Sequence, residues 1–169
     1  MATTVRASST NTAATGTAIS VSAPAGTTTG DVVIVAVHAN NLVTVADNNG
    51  STPFTKDLAD FQNPIGLQTL SVFSRRIQAG DPATYNFTIG TSGRWTIHAI
   101  TFQNPHASII YDVSPTAGNN RDDASANTGT SIDITTGTAN AVHCAMLGTD
   151  SQSNAITATP SGYTVEQNS

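Results

Sequence analysis

Apolar residues occur in short runs along most of the chain, each about the length of a β-strand. Val32–Val37 (VVIVAV) is apolar at every position. Three later runs mix β-branched and aromatic residues with polar ones: Leu67–Ile77, Ala83–Ile89 and Arg94–Phe102. Gly, Pro, Asp or Asn residues bound each run, and these residues favour turns. The pattern predicts strands joined by turns, with Val32–Val37 as a central strand that is buried on both faces.

Several segments recur in the same order later in the chain. The pairs, first copy then second, are Thr15–Val21 and Thr128–Ile134, Gly30–Asn40 and Ala139–Thr149, and Phe54 and Tyr163. One loop between them is shorter in the second copy. Such order-preserving similarity indicates an imperfect internal duplication. The second copy ends without counterparts of the three mixed runs, so we expect it to leave a sheet edge unpaired.

These runs define a domain organisation. Residues 1–14 are small and polar and are expected to form a flexible arm, and residues 15–169 are expected to form one β-sandwich domain. Within it, copy one spans 15–103, a connector spans 104–127 and the partial copy two spans 128–169. Ser108–Val113 in the connector reads as a further short strand. The fold predicted is an antiparallel sandwich of about nine strands, of the jelly-roll or immunoglobulin-like type.

Composition supports this fold class and excludes several functions. Charged residues make up 10% of the chain, against roughly 25% in typical globular proteins. Thr, Ala, Ser, Asn, Gly and Val are the abundant residues. Thr and Val favour strands, and Asn, Gly and Ser favour turns, so the composition favours an all-β fold. The net charge is −5 and there is no basic stripe, so we expect no nucleic-acid binding. No apolar run is long enough for a membrane helix, and the N-terminus lacks the apolar core of a signal peptide, so synthesis without export is expected.

Four histidines are the candidate metal ligands: His38, His98, His106 and His143. Three imidazoles on neighbouring strands that face the same way could hold zinc. However, no two of them have the spacing of a metal motif, and each lies among apolar residues. We therefore predict no metal site and no cofactor.

Two loops rich in Asp and Asn, Ala46–Ser51 and Asn119–Asp123, offer oxygen donors for calcium. A calcium loop needs several oxygens that converge on one point. Asn49-Gly50 in the first loop is instead the signature of a tight turn, and the second loop is expected to be solvated.

No residue pattern identifies a catalytic site. The chain has no Gly-x-Ser-x-Gly motif and no phosphate-binding loop, and its one cysteine, Cys144, is expected to be a small hydrophobe in an apolar strand. Five aromatic residues could form a sugar-stacking platform, although their strand positions favour the core: Phe73, Tyr85, Trp95, Phe102 and Tyr111. We predict that the protein is not an enzyme.

Four stretches resemble a β-sandwich module found in structural proteins of tailed phages and in some bacterial surface proteins. They are Ala23–Val37 with its P-x-G-x-x-x-G-D loop, Ser51–Asp57, Leu70–Ile89 with the GDPATYNFT bend, and Arg94–Asn104. The resemblance implies a non-enzymatic virion protein that works by contact, and it supplies no catalytic residues.

Within that resemblance, a short and self-contained chain favours a capsid decoration (cement) protein, located in the virion and bound to the major capsid protein or other virion proteins. A homo-oligomer is also expected. The predicted interface comprises the arm and the C-terminal edge: Ala2, Thr3, Thr4, Val5, Tyr163, Val165 and Glu166. The alternatives are a tail or fibre component, or a glycan-binding adhesion module.

Overall fold

A computed structural model gives the structure of the chain and describes residues 2–63, 68–116, 141, 142 and 144. These residues contain eight β-strands and no helix. The strands are β1 (Thr4–Ala13), β2 (Ala18–Ser22), β3 (Val32–Ala39), β4 (Val45–Asp47), β5 (Thr55–Asn63), β6 (Gln68–Arg76), β7 (Thr84–Ile89) and β8 (Trp95–Gln103). Over the same residues, no segment is a helix of the length and apolarity that a membrane span requires.

The strands form two antiparallel sheets, which confirms the all-β, sandwich-like prediction. The larger sheet has the order β1-β8-β3-β6-β5 and the smaller sheet has the order β2-β7-β4. The pairing is nested along the chain: the first strand pairs with the eighth, the second with the seventh and the third with the sixth. Along the chain, each of these pairs thus encloses the next one.

The main core lies between the two sheets. Val33, Val35 and Val37 alternate along β3 and point into it, because successive side chains of a strand face opposite sides. Tyr85 and Phe87 of β7 come from the other sheet. Phe54 packs edge-on against Tyr85, with ring centroids 5.1 Å apart, a favoured geometry for aromatic pairs.

A second apolar cluster covers the outer face of the larger sheet. It contains Val32, Ile34, Val72, Ile100 and Phe102, and Val5, Leu58 and Tyr111 pack against it. β3 thus has apolar neighbours on both faces, and all of its residues are buried. The prediction of a central, doubly buried strand at Val32–Val37 is confirmed.

The N-terminal segment differs from the expected flexible arm, because residues 4–13 form β1. β1 pairs with β8 along its whole length, from Thr4 opposite Gln103 to Ala13 opposite Trp95. A bulge between Val5 and Ala7 reverses which side chains face inward. Val5 can therefore pack on the outer cluster while Ala13 packs on the main core. Small polar residues suit this strand because most of its side chains are only half-buried or exposed.

Ser108–Val113 does not form the predicted strand. β8 ends at Gln103, and Asn104 adopts a positive φ of 53°. Arg76 Nη2 then donates to the carbonyl oxygen of His106 at 2.6 Å. The backbone N–H groups of Ser108 and Ile109 both donate to His106 Nδ1. These bonds hold the backbone in a bend, and the β-branched residues that follow join no strand of the described residues.

Most of the partial second copy, 128–169, lies outside the described residues, so the duplication and the expected unpaired C-terminal edge stay predictions. Cys144 is one of the described residues, and it is exposed and not in a strand. The expectation that Cys144 is a small hydrophobe in an apolar strand was therefore wrong.

Candidate functional site

The N-terminal part of the predicted interface lies at the start of β1. Thr3 Oγ1 donates to the carbonyl oxygen of Asn104 at 3.0 Å, and Gln103 Nε2 donates to Thr4 Oγ1 at 2.9 Å. Val5 packs on the outer cluster, while Ala2 is exposed. Thr3, Thr4 and Val5 are therefore held by contacts within their own chain. The C-terminal part, Tyr163, Val165 and Glu166, lies outside the described residues.

Arg6 and Asp31 fix β1 to the loop that carries the P-x-G-x-x-x-G-D motif. Arg6 Nε donates to Asp31 Oδ2 at 2.7 Å and Arg6 Nη2 donates to Asp31 Oδ1 at 3.1 Å. The backbone N–H of Thr28 donates to the same carboxylate at 2.9 Å. Asp31 is buried, so the ion pair and the turn satisfy a carboxylate that would otherwise be costly to bury. The motif is thus structural in this chain.

The GDPATYNFT bend contains a second ion pair of the same kind. Asp81 accepts hydrogen bonds from Nε and Nη2 of Arg75, and both side chains are almost fully buried. The backbone N–H of Gln78 also donates to Asp81 Oδ2, at 3.0 Å. Burial and the nearby Asp81 raise the pKa of Tyr85 to about 12, which Arg75 partly opposes. The ion pair of Arg75 with Asp81 therefore fastens this bend, which leads into β7, to the end of β6.

Side chains of β1 occupy the free edge of β2. Ser9 Oγ donates to the carbonyl oxygen of Ser22 at 2.5 Å, and Asn11 Nδ2 donates to the carbonyl oxygen of Ser20 at 2.7 Å. β2 is the terminal strand of the smaller sheet, so its carbonyl groups would otherwise need another partner. One side of the sandwich is closed by these bonds.

Side chains of β5 and β6 close the opposite side in the same way, along β4. Asp60 Oδ1 accepts from the backbone N–H of Val45 at 3.1 Å, and Lys56 Nζ donates to the carbonyl oxygen of Val45 at 2.6 Å. Asp60 also accepts from Lys56 Nζ and from Ser71 Oγ, both at 2.6 Å. Thr69 Oγ1 accepts from the backbone N–H of Val43 at 3.0 Å. The fourth and fifth strands thus meet through side chains instead of a backbone ladder.

The two terminal strands of the larger sheet, β1 and β5, have different outer edges. The pairing of β5 with β6 has two register shifts, between Lys56 and Leu58 and between Leu58 and Phe61. β5 also carries three charged residues, Lys56, Asp57 and Asp60. Charges and register shifts at a terminal strand obstruct pairing with another chain. By contrast, Ala7–Ala13 is regular after the bulge and contains no charged residue. We call the side of Ala7–Ala13 that faces away from β8 the β1 edge. Within the part of the chain that the structure describes, no strand pairs with it.

The histidines only partly meet the condition for a zinc site. His38 of β3 and His98 of β8 lie on neighbouring strands. Ala36 is directly opposite His98 and therefore faces the same side, and His38, two residues further along β3, faces that side too. Burial and the nearby His38 lower the pKa of His98. His106 lies in the turn after β8, and His143 is outside the described residues. Among the described residues there is no group of three or more metal-binding side chains.

The first of the two loops considered for calcium is a turn, as its Asn-Gly sequence predicts. Gly50 has a φ of 60°. Asn49 Nδ2 donates to Asp47 Oδ1 and to the carbonyl oxygen of Asn86, and Asn49 Oδ1 accepts from the backbone N–H of Asn86 at 2.8 Å. Asn49 therefore fastens the turn to β7. The second loop, Asn119–Asp123, lies outside the described residues.

The aromatic residues considered for a sugar platform are mostly internal. Phe73, Tyr85, Trp95 and Phe102 are buried. Tyr111 is partly buried, and its hydroxyl donates to Asp57 Oδ2 at 3.0 Å. Burial raises the pKa of Tyr111 and also that of Asp57. These residues pack the sandwich and its outer face, so they do not present exposed rings for stacking.

A shallow depression lies on the outer face of the smaller sheet. Its volume is about 230 Å³, and its lining includes Ser20, Asn48 and Asn86. Ligand pockets usually measure about 300–1,000 Å³, so this one is small. Its hydroxyl and amide groups could accept and donate hydrogen bonds to a polar ligand.

Comparison with known proteins gave no relative: no protein family, curated protein or solved structure matches the chain.

Proposed function

We propose that the chain is a non-enzymatic structural protein of a phage particle, built on a jelly roll and acting as a capsid decoration protein. The observation that carries this proposal is the nested strand order. A jelly roll is an antiparallel hairpin wrapped so that strands one and eight, two and seven, three and six, and four and five are neighbours. Here the first three pairs share backbone ladders, and the fourth meets through side chains.

Jelly rolls are common in viral capsid proteins and in lectins. A fold does not by itself determine function, so support also comes from how this chain uses its charged residues. Arg6, Lys56 and Arg75 form ion pairs that close or tie the sandwich. Arg76 donates to the backbone carbonyl oxygens of Gly30 and His106. These cations stabilise a scaffold, which suits a protein that works through its surfaces.

The test is a mass-spectrometric inventory of purified particles, separated into heads and tails. A decoration protein is expected in heads at a fixed ratio to the major capsid protein. Recovery only with tails would replace this proposal with the alternative of a tail or fibre component. Absence from both fractions would overturn the virion proposal.

A glycan-binding adhesion module is the second candidate, favoured by the depression beside Asn86, whose lining includes hydroxyl and amide groups. A glycan array with the purified chain tests it directly. Asn86→Ala should abolish any specific binding, whereas Thr84→Ala, an exposed change on the same strand, should retain it. Binding that is equal in both variants, or no binding at all, would exclude the depression as a glycan site.

A further inference from the structure

The segment that follows β8 lies against the outer face of the larger sheet, and we call residues 104–113 the strap. Side chains fasten the strap at two points. Arg76 Nη2 donates to the carbonyl oxygen of His106 at 2.6 Å, and the hydroxyl of Tyr111 donates to Asp57 Oδ2 at 3.0 Å. Tyr111 also packs on the outer cluster. The strap is therefore a fixed part of this face, and its other side chains present a defined surface.

That surface is apolar and exposed. Ile109, Ile110 and Val113 are 54%, 36% and 39% exposed. Among the described residues, the other large apolar side chains that are similarly exposed are Leu42 at 41% and Val142 at 40%. Most of these side chains thus lie in one short segment. A concentration of exposed apolar side chains marks a contact surface, because covering it removes apolar area from water.

The chain itself returns to this surface after residue 140. Cys144 lies close enough to the hydroxyl of Tyr111 to interact with it electrostatically. The exposed Val142 is two residues before Cys144. Exposed apolar side chains from two distant parts of the chain therefore come near each other at Tyr111.

The covalent connection favours this part of the chain, and not a second copy, as the occupant of the strap surface. Residues 117–140 link the strap to Ala141. A link of this kind gives an effective concentration of up to roughly millimolar, which a separate copy reaches only in a concentrated solution.

Charge favours the same occupant. The segment Ala139–Thr149 contains no Asp, Glu, Lys or Arg. Two straps that faced each other would instead bring Asp57 and Asp112 of both copies together around one apolar contact. Like charges in such a contact oppose association.

We propose that the segment Ala139–Thr149 docks on the strap through Val142 and Cys144 and covers its exposed apolar side chains, which adds a further layer over the outer face of the larger sheet. Tyr111 connects this contact to the outer cluster, because it packs on that cluster and lies beside Cys144. The strap surface is then occupied within the chain and is not available to a capsid protein or a glycan. The inference does not depend on a location in a virion.

A disulfide provides the first test, because Cys144 is the only cysteine of the chain. On mild oxidation of the dilute full chain, Ile110→Cys or Val113→Cys should form a disulfide with Cys144 inside one chain, since Cα atoms less than about 7 Å apart can be bridged. The product should lose both free thiols and stay monomeric on a non-reducing gel. Thr84→Cys is the matched control, because Thr84 is exposed on a strand of the other sheet, and it should keep both thiols.

Each other result of this experiment contradicts the proposal. Disulfide-linked dimers of the two strap variants would identify a second copy as the occupant. Free thiols in both strap variants would show that Cys144 does not stay at the strap. Equal disulfide formation in the Thr84→Cys control would show that the segment has no fixed place.

Amide hydrogen exchange measures the cover without a new cysteine. Val142→Asp places a charge in the proposed contact, so exchange across residues 105–113 should become at least about fivefold faster. Leu42→Asp is the matched control, because Leu42 is exposed to the same extent and lies between β3 and β4. It should leave exchange in the strap unchanged. Both variants should melt near the wild-type temperature, since both positions are exposed. Equal exchange of the strap in the two variants would overturn the proposal.

Discussion

At the scale of single residues, Asp31 holds three parts of the chain together. Its carboxylate accepts from Arg6 of β1 and from the backbone of Thr28 in the motif loop. Its own carbonyl oxygen accepts from the backbone N–H of Ile77 at 2.9 Å. The sequence indicated a turn at Gly30-Asp31 but not the ion pair with Arg6. Nothing in a local pattern specifies a partner that is distant along the chain.

Replacing Asp31 with alanine should therefore lower the stability of the fold. Asp31→Ala removes the buried carboxylate that accepts from the partly exposed guanidinium of Arg6 and from the N–H of the exposed Thr28, and water can replace part of these bonds, so we expect a loss of roughly 1–2 kcal/mol in the free energy of unfolding. Urea denaturation measures it. Arg94→Ala, at an exposed position, is the control and should stay within about 0.5 kcal/mol of wild type. An Asp31→Ala variant as stable as this control would show that the ion pair contributes nothing.

At the scale of elements, the sequence identified the strands with clear apolar patterns. β3, β6, β7 and β8 lie in predicted runs, and their bounds differ by a few residues at most. β2 falls within the repeated segment Thr15–Val21, which was not assigned as a strand. β1, β4 and β5 were not recognised as strands. β1 satisfies its inward face with polar bonds to β2, β4 has three residues, and the bulges of β5 break its alternation. Hydrophobic periodicity reports burial, so strands that are held by polar side chains give little signal.

Asp60 is the clearest case of a strand edge that is held by side chains. Asp60→Ala removes the acceptor for the N–H of Val45 and the ion pair of Lys56. We expect a loss of roughly 2–3 kcal/mol, mainly from the unsatisfied groups. Asp60→Asn keeps one oxygen acceptor, so it should recover part of that loss. Amide hydrogen exchange should show faster exchange at Val45 in the alanine variant. If exchange there matches the wild type, another group protects this edge.

The pair of histidines on β3 and β8 predicts a dependence of stability on pH. The pKa of His98 is lowered from 6.5 by burial and by His38. As pH falls below 6.5, His98 is protonated in the unfolded chain before it is protonated in the folded chain. The contribution of His98 to the free energy of unfolding is therefore fully present above this pH, and it is lost as pH falls towards the lower pKa of the folded state. His98→Gln should lose less stability than the wild type between about pH 7.5 and about pH 5.

The quantity to compare is the difference in the free energy of unfolding between the wild type and His98→Gln at each pH. The pKa of Asp57 is raised by burial, so its contribution has the opposite sign and is lost as pH rises. Asp57 is present in both chains, and subtraction removes its contribution. Parallel curves for wild type and His98→Gln would show that His98 does not experience the buried environment described above.

At the scale of the whole molecule, the N-terminal part of the predicted interface lies at one end of β1, a strand that is terminal in the larger sheet of the described residues. The sequence pointed to Ala2–Val5 and to the C-terminal residues. In the structure Ala2 and Thr3 precede β1, and Thr4 and Val5 are its first two residues, next to the bulge. The uncharged edge is further along, at Ala7–Ala13. Which strand is terminal in a sheet depends on the order of all strands. That order arises from contacts between distant residues, so local composition could not reveal it.

Truncation of the N-terminus separates the structural role of β1 from a role in assembly. Deleting Ala2–Asn11 removes most of the ladder to β8, the ion pair to Asp31 and both donors to the edge of β2. We therefore expect a fall in melting temperature on the order of 10 °C or more, or an insoluble product. Thr10→Lys leaves these contacts except the bond from Thr10 Oγ1 to the carbonyl oxygen of Ile97, so it should melt near the wild-type temperature. If the truncated chain melts as the wild type does, the segment is a dispensable arm, as its composition suggested.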